Sequence, residues 1–282
     1  MIDHFSYGLL TPVIAYTVSV IGSFVGLMFA TRTRTATGAT RWTWLALGAV
    51  CLGGTAVWSM HFIAMLGFQI SGAVLRYDTT LAVASGLLSI VVMGVALYLT
   101  TTRPTGVSLL LGGVITAIAV VSTHYMGMAS INMHGELHHD PLYVALAGAI
   151  TVVGATVALW FSLRLKGVPA VLVASLIMGA AVTGMRYTGM IDMRVTLLPG
   201  MQATPVDGAT TSELLLPLLI GLFVFLMVCS LLLMLDVDDA GSRRASSKAD
   251  GPTSPAPQEE DDEHYNPRHR SPESYDPWER RR

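Results

Sequence analysis

Seven stretches of the chain are almost wholly apolar, and the polar residues collect between them. They run from about 8 to 30, 43 to 66, 79 to 100, 107 to 130, 141 to 163, 169 to 192 and 214 to 235. Each can cross a bilayer as a helix, because ~20 residues rising ~1.5 Å apiece span ~30 Å of hydrocarbon. The pattern predicts an all-α membrane protein with seven transmembrane helices. The first run is expected to stay in place as a helix, since no basic segment precedes it and no small-residue cleavage pattern follows. Asp140-Pro141 has the form of an N-cap followed by Pro at the first helical position, and Asp78 has the matching place before the third run. Gly22 and Gly26 make a small-xxx-small pattern that lets the first helix approach a neighbour closely. Trp42, Trp44 and Trp160 fall near helix ends, where interfacial aromatics collect.

Charge sharpens this picture. Of 282 residues 52% are hydrophobic, and the mean hydropathy is +0.57. Twelve of the 19 acidic residues and eight of the 17 basic ones lie after Leu235, so residues 1–235 are nearly free of charge. The connections after runs one, three and five hold Arg32, Arg34, Arg41, Arg103, Arg164 and Lys166 and no acid. The N-terminus and the other connections hold Asp3, Asp78, Glu136, Asp140, Asp207 and Glu213 against Arg76 and Arg194. The positive-inside rule then puts the N-terminus outside a plasma (inner) membrane and the C-terminus in the cytoplasm. Residues 236–282, rich in Ser, Pro, Asp, Glu and Arg without an apolar period, are expected to be a disordered cytoplasmic tail. His264 and His269 lie in it, and Arg280-Arg281-Arg282 is expected to be solvated.

The candidate chemistry sits in a stretch that occurs three times. Trp58-Ser-Met-His-Phe-Ile-Ala-Met65 is followed by Ser122-Thr-His-Tyr-Met-Gly-Met128 and Gly184-Met-Arg-Tyr-Thr-Gly-Met190. Aligned on His61, His124 and Arg186, the copies are 63 and 62 residues apart, and each has a Met four residues on. Positions i and i+4 share a helix face, so two copies offer an imidazole beside a thioether, ligands that a soft transition metal accepts. The spacing predicts three parallel two-helix repeats (about 8–66, 79–130 and 141–192) plus a seventh helix (214–235), with the motifs at the outer ends of helices two, four and six.

The triplicated Trp58, Met60, His61, Met65, then His124, Tyr125, Gly127, Met128, then Met185, Tyr187, Thr188, Gly189, Met190, together with Tyr77-Asp78 before the third helix, resembles the MHYT family of bacterial integral-membrane sensors. The resemblance covers residues 1–235. It implies a sensor of a diatomic gas (O2, CO or NO) or of redox state, acting through copper held by the motif Met and His side chains. Many members carry a cytoplasmic diguanylate cyclase or phosphodiesterase module; no such module is expected in these 282 residues, so the output would pass to a cytoplasmic signalling protein. Arg186 departs from the family, which has a third His there. A guanidinium has no lone pair for a metal, which leaves His61 and His124 with Met65, Met128 and, in addition, Met60, Met185 or Met190. Arg186 could instead neutralise Asp192 or Asp78, or attract an anion.

Other residues have blander roles. Tyr125 and Tyr187 are expected to be interfacial aromatics, with a hydroxyl able to orient an imidazole. Met126 is expected to serve packing. His134, His138 and His139, in the loop after the fourth helix, could capture a metal ion for the site, as could His4 more weakly. Cys51 and Cys229 are expected to be buried small apolar residues. No nucleophile with a positioned base, paired carboxylates, phosphate-binding glycine loop or basic groove is evident, so neither an enzyme nor a nucleic-acid partner is expected. The rival functions are a membrane transporter or metal-handling protein, or a metal-free membrane scaffold; bis-histidine haem ligation by His61 and His124 is a further alternative to copper.

Overall fold

The computed structural model describes residues 2–3, 8–65, 67–70, 75–133, 135–138, 140–164, 167–191, 194–197 and 207–249. The apolar runs become seven helices: α1 (Leu10–Thr35), α2 (Gly38–Met65), α3 (Thr79–Thr102), α4 (Gly106–Ala129), α5 (Pro141–Arg164), α6 (Val168–Met190) and α7 (Thr211–Ala249). All seven are long and apolar enough to cross a membrane. Their starts follow from local chemistry. Asp78 accepts from the Leu81 amide at 3.1 Å and Asp140 from the Leu142 amide at 2.7 Å, each taking up a donor that has no partner inside the helix. Thr105 and Ser108 form a reciprocal capping box at the start of α4.

Helices α1 to α6 pack in chain order, and α6 returns to α1. Within that ring α2, α4 and α6 also touch one another. The outward faces carry exposed Val91, Val95, Leu110, Ile118, Val153 and Leu172, as lipid-facing helices require. The Gly22/Gly26 pattern brings α1 onto α2: a Cβ on Gly22 would stand 2.6 Å from Thr55 Cγ2, and one on Gly26 2.6 Å from Leu52 Cγ.

Within α2 the α-helical turns of Gly38–Ala49 give way to a π-helical segment, Val50–Ser59, before the α-helical Met60–Met65. Hydroxyls attend its carbonyls. Ser19 of α1 donates to Ala56 O at 2.8 Å, Ser89 of α3 to Gly53 O at 3.0 Å, and Ser59 to Gly54 O at 2.8 Å. In an apolar surround such donors satisfy carbonyls that widened turns align poorly. Trp58 is fixed by its indole N–H donating to Ala82 O at 2.9 Å.

Outside the helices, short β pairings join the connecting segments. The N-terminus and the segments after α2, α4 and α6 form short antiparallel ladders: β1 (Ile2–Asp3) with β2 (Gln69–Ile70), β3 (Arg76–Tyr77) with β4 (Ile131–Asn132), and β5 (Gly135–His138) with β6 (Arg194–Leu197). A bridge from Tyr77 to Ala209 adds the segment before α7. Backbone between helix ends needs hydrogen-bond partners, and these segments find them in each other.

The chain divides into two units, Met1–Leu235 and Asp236–Arg282. Of the second, residues 236–249 are helical, where disorder was expected from Asp236. Three alanines, two arginines and a lysine there favour a helix. The remainder of the expected tail lies outside the described residues.

Candidate functional site

The three aligned positions come together. His61, from the last turn of α2, His124, from α4, and Arg186, from α6, are each at most 3% exposed. The His61 and His124 rings meet edge to face with centroids 5.2 Å apart. Arg186 Nη1 lies 2.8 Å from His61 Nδ1. Every polar hydrogen-bonding atom of a guanidinium is a donor, so Nδ1 accepts, which assigns the His61 proton to Nε2. Nε2 is buried and has no hydrogen-bond partner among the described residues. In this arrangement His61 offers no lone pair to a metal.

Small residues three positions after the aligned one make the meeting possible. A Cβ on Gly127 would stand 2.3 Å from His61 Nε2, and one on Gly189 would be 3.4 Å from both His124 Nε2 and Tyr125 Oη. The His61 ring therefore sits over Gly127 of the next copy, and the His124 ring beside Gly189 of the one after. Arg186 reaches back to the first copy. The sequence carries the signal for this in Ala64, Gly127 and Gly189 at matching places three residues after each aligned position.

The cavity between these helices, about 10 Å³, is lined by the same three positions of each copy: Val57, Val120 and Val182; Met60, Thr123 and Met185; His61, His124 and Arg186. That is about the room one water needs. Met65, Met128 and Met190 share an adjoining apolar cluster with Phe62, Tyr77 and Leu214. The i+4 spacing thus carries the thioether about 6 Å along the helix, into the next layer. The thioethers lining the cavity are those one residue before the aligned position.

Tyr125 stands edge-on to His124 with ring centroids 4.9 Å apart, and Tyr187 lies beside Arg186 in the chain. Both are half-buried. Asp78 does not neutralise Arg186: it is exposed and caps α3. Among the described residues no carboxylate pairs with Arg186. His138 is exposed on β5, opposite Arg194. His4, His134, His139 and Asp192 lie outside the described residues. Nor is a group of three or more His, Cys, Asp or Glu able to hold a metal found among the described residues. Perpendicular imidazoles at 5.2 Å around so small a cavity leave no space for a haem.

The profile of MHYT, described as a bacterial signalling protein N terminal repeat, matches twice, at residues 54–113 and 118–175. The chain belongs to the MHYT family. Its third copy, the one with Arg186, lies beyond the matched segments. This MHYT chain is 30% identical over 235 residues to the bifunctional diguanylate cyclase/cyclic di-GMP phosphodiesterase MucR of Pseudomonas aeruginosa, covering 80% of the chain and 34% of MucR. It is 28% identical over 202 residues to the cyclic di-GMP phosphodiesterase NbdA of the same organism, covering 69% and 25%. With the signaling protein YkoW of Bacillus subtilis it shares 26% over 195 residues, covering 67% and 24%. The chain thus spans about a third of the length of MucR and a quarter of the other two. No solved structure matches it. Family and helices together make it a multi-pass membrane protein carrying the sensor region of bacterial signalling proteins.

Proposed function

We propose that residues 1–235 receive a signal at the His61–His124–Arg186 centre and pass it, by shifting α2, α4 and α6 against one another, to a cytoplasmic signalling protein. The observation that carries this reading is the convergence of three repeat-equivalent side chains from three helices, joined by the 2.8 Å contact between Arg186 and His61. A buried ionisable group in a membrane helix is costly to keep and marks function by default. The chain acts as a sensor and not as a catalyst. It lies in the plasma membrane as three parallel repeats plus α7, with the N-terminus and the ends of α2, α4 and α6 outside. The charge asymmetry of the connections supports that orientation, and the pairing of the N-terminus and the segments after α2, α4 and α6 into ladders supports their lying together on one side.

A chimera tests it. Residues 1–235 replace the matching segment of MucR, and cyclic di-GMP is measured in cells moved from air to nitrogen, with and without a nitric oxide donor. The expected result is an output that follows the gas and loses this dependence with Arg186→Ala. An output indistinguishable from MucR lacking the segment would reject the reading.

Copper is a second reading, favoured by the imidazole of His124 and the thioethers of Met60 and Met185 on one cavity. Such donors suit Cu(I). When bound, Cu(I) supplies an electron-rich site for O2, CO or NO. The permanent charge of Arg186 favours a monovalent over a divalent ion, since repulsion doubles with the ion's charge. His61 joins the donors only when its bond to Arg186 opens. Transport gains no comparable support from a cavity the size of one water.

A further inference from the structure

Cys51 and Cys229 are the only cysteines of the chain, and they come from positions 178 residues apart to place their Sγ atoms 3.9 Å from each other. Both are free thiols and at most 1% exposed. Cys51 lies in the π-helical segment of α2, and Cys229 on α7. Val25, Phe29 and Leu233 surround them. Either cysteine alone would be small apolar filling; two meeting each other across helices make a dithiol.

The geometry points to an oxidisable site: Cys51 and Cys229 close into a disulfide with a lipid-soluble quinone as oxidant, fixing α7 to the π-helical segment that leads to His61. Two S–H bonds break and one S–S bond forms. The two electrons and two protons pass to the quinone, which leaves as the hydroquinone. The sulfurs must approach from 3.9 Å to about 2.05 Å. The partner helix can supply that movement, because α7 is the least buried of the seven spans.

Access favours an oxidant dissolved in the bilayer. Cys51 stands near the middle of the Gly38–Met65 span, beyond the reach of a charged aqueous reagent. An apolar cleft of about 300 Å³ runs between α2 and α7, lined by Gly54, Trp58, Pro217 and Gly221, and it includes Val50 and Phe225 beside the pair. The consequence is specific. The bond would tie α7 to the helix bearing His61.

Membranes containing the full chain are treated with duroquinone or with ferricyanide, then denatured, alkylated with a maleimide and weighed by mass spectrometry. With duroquinone the wild type loses both alkylatable thiols together within one chain, and dithiothreitol restores them. Cys51→Ser and Cys229→Ser each keep the remaining thiol. Ferricyanide, confined to water, leaves both thiols in place. Two alkylated thiols after duroquinone would overturn the site, as would a crosslink between chains; closure by ferricyanide would overturn the lipid route.

Discussion

Arg186 donates from Nη1 to Nδ1 of His61 across 2.8 Å, with both side chains buried and 125 residues of chain between them. The bond sets the chemistry of the centre. It fixes a permanent positive charge where the sequence pattern leads one to expect a metal ligand, and it commits the His61 lone pair at Nδ1 to that charge. The guanidinium also does mechanically what a shared metal would do, holding α6 to α2. A guanidinium with no carboxylate partner among the described residues is an expensive thing to bury, and its cost makes the contact a natural point of change.

Gly127→Ala should disturb this centre directly. Its Cβ would stand 2.3 Å from His61 Nε2, and overpacking of that kind costs about 1–3 kcal/mol. Gly148, in the interior of α5, has nothing within 4 Å of a built Cβ, so Gly148→Ala should be neutral or gain up to about 1 kcal/mol of helix propensity. Thermal unfolding in detergent compares the two. Equal stability of the two variants would show that the His61 ring does not need the space over Gly127.

The π-helical segment of α2 should depend on the serines around it. Ser89→Ala removes the donor to Gly53 O, and Ser19→Ala the donor to Ala56 O. Each should cost about 0.5–1.5 kcal/mol, and amide exchange over residues 53–59 should quicken in both. Unchanged exchange there would mean the widened turns are held by packing alone.

Much of this was legible in the sequence, and the limits are physical. The seven spans follow from apolar length, and the caps at Asp78 and Asp140 from side-chain chemistry. The repeat spacing brought His61, His124 and Arg186 to equivalent places. What it could not give was the layering: a period of four residues puts Met65 on the face of His61, but only packing decides whether the two share a cavity or occupy successive layers. The π-helical turns were hidden because their only local cue is Gly53-Gly54, and their hydrogen bonds come from Ser19 and Ser89 on other helices. The Cys51–Cys229 contact was hidden for the same reason, since a residue's partner 178 positions away leaves no trace in local periodicity.

Orientation can be read with reporter fusions. A fluorescent protein joined after Pro104 or Gly167 should fold and fluoresce, as cytoplasmic sites allow. Alkaline phosphatase joined after Arg76 or Met133 should be active, as sites outside the membrane allow. The expectation rests on the basic residues of the first set of connections and the acidic residues of the second. The reverse pattern would invert the whole assignment and put the histidines toward the cytoplasm.

Replacing Arg186 should separate the metal question from the fold. Arg186→His removes the permanent charge, frees Nδ1 of His61 and adds a third imidazole to a cavity already lined by Met60, His124 and Met185. Two unit charges about 5 Å apart repel by ~3 kcal/mol at an effective dielectric of ~20, so relief of that repulsion alone corresponds to about a hundredfold in affinity. Copper titration of the detergent-purified protein against a competing Cu(I) chelator measures it, with elemental analysis of the untreated protein alongside. The wild type should retain little copper and Arg186→His should retain it tightly, with the gain lost again in Arg186→His combined with His61→Ala and His124→Ala. Tight copper in the wild type, undiminished by His61→Ala, would place the ion on His124 and the thioethers with Arg186 still bonded to its histidine. No gain in Arg186→His would mean that the centre has no metal chemistry to recover, and that charge and packing alone carry its signal.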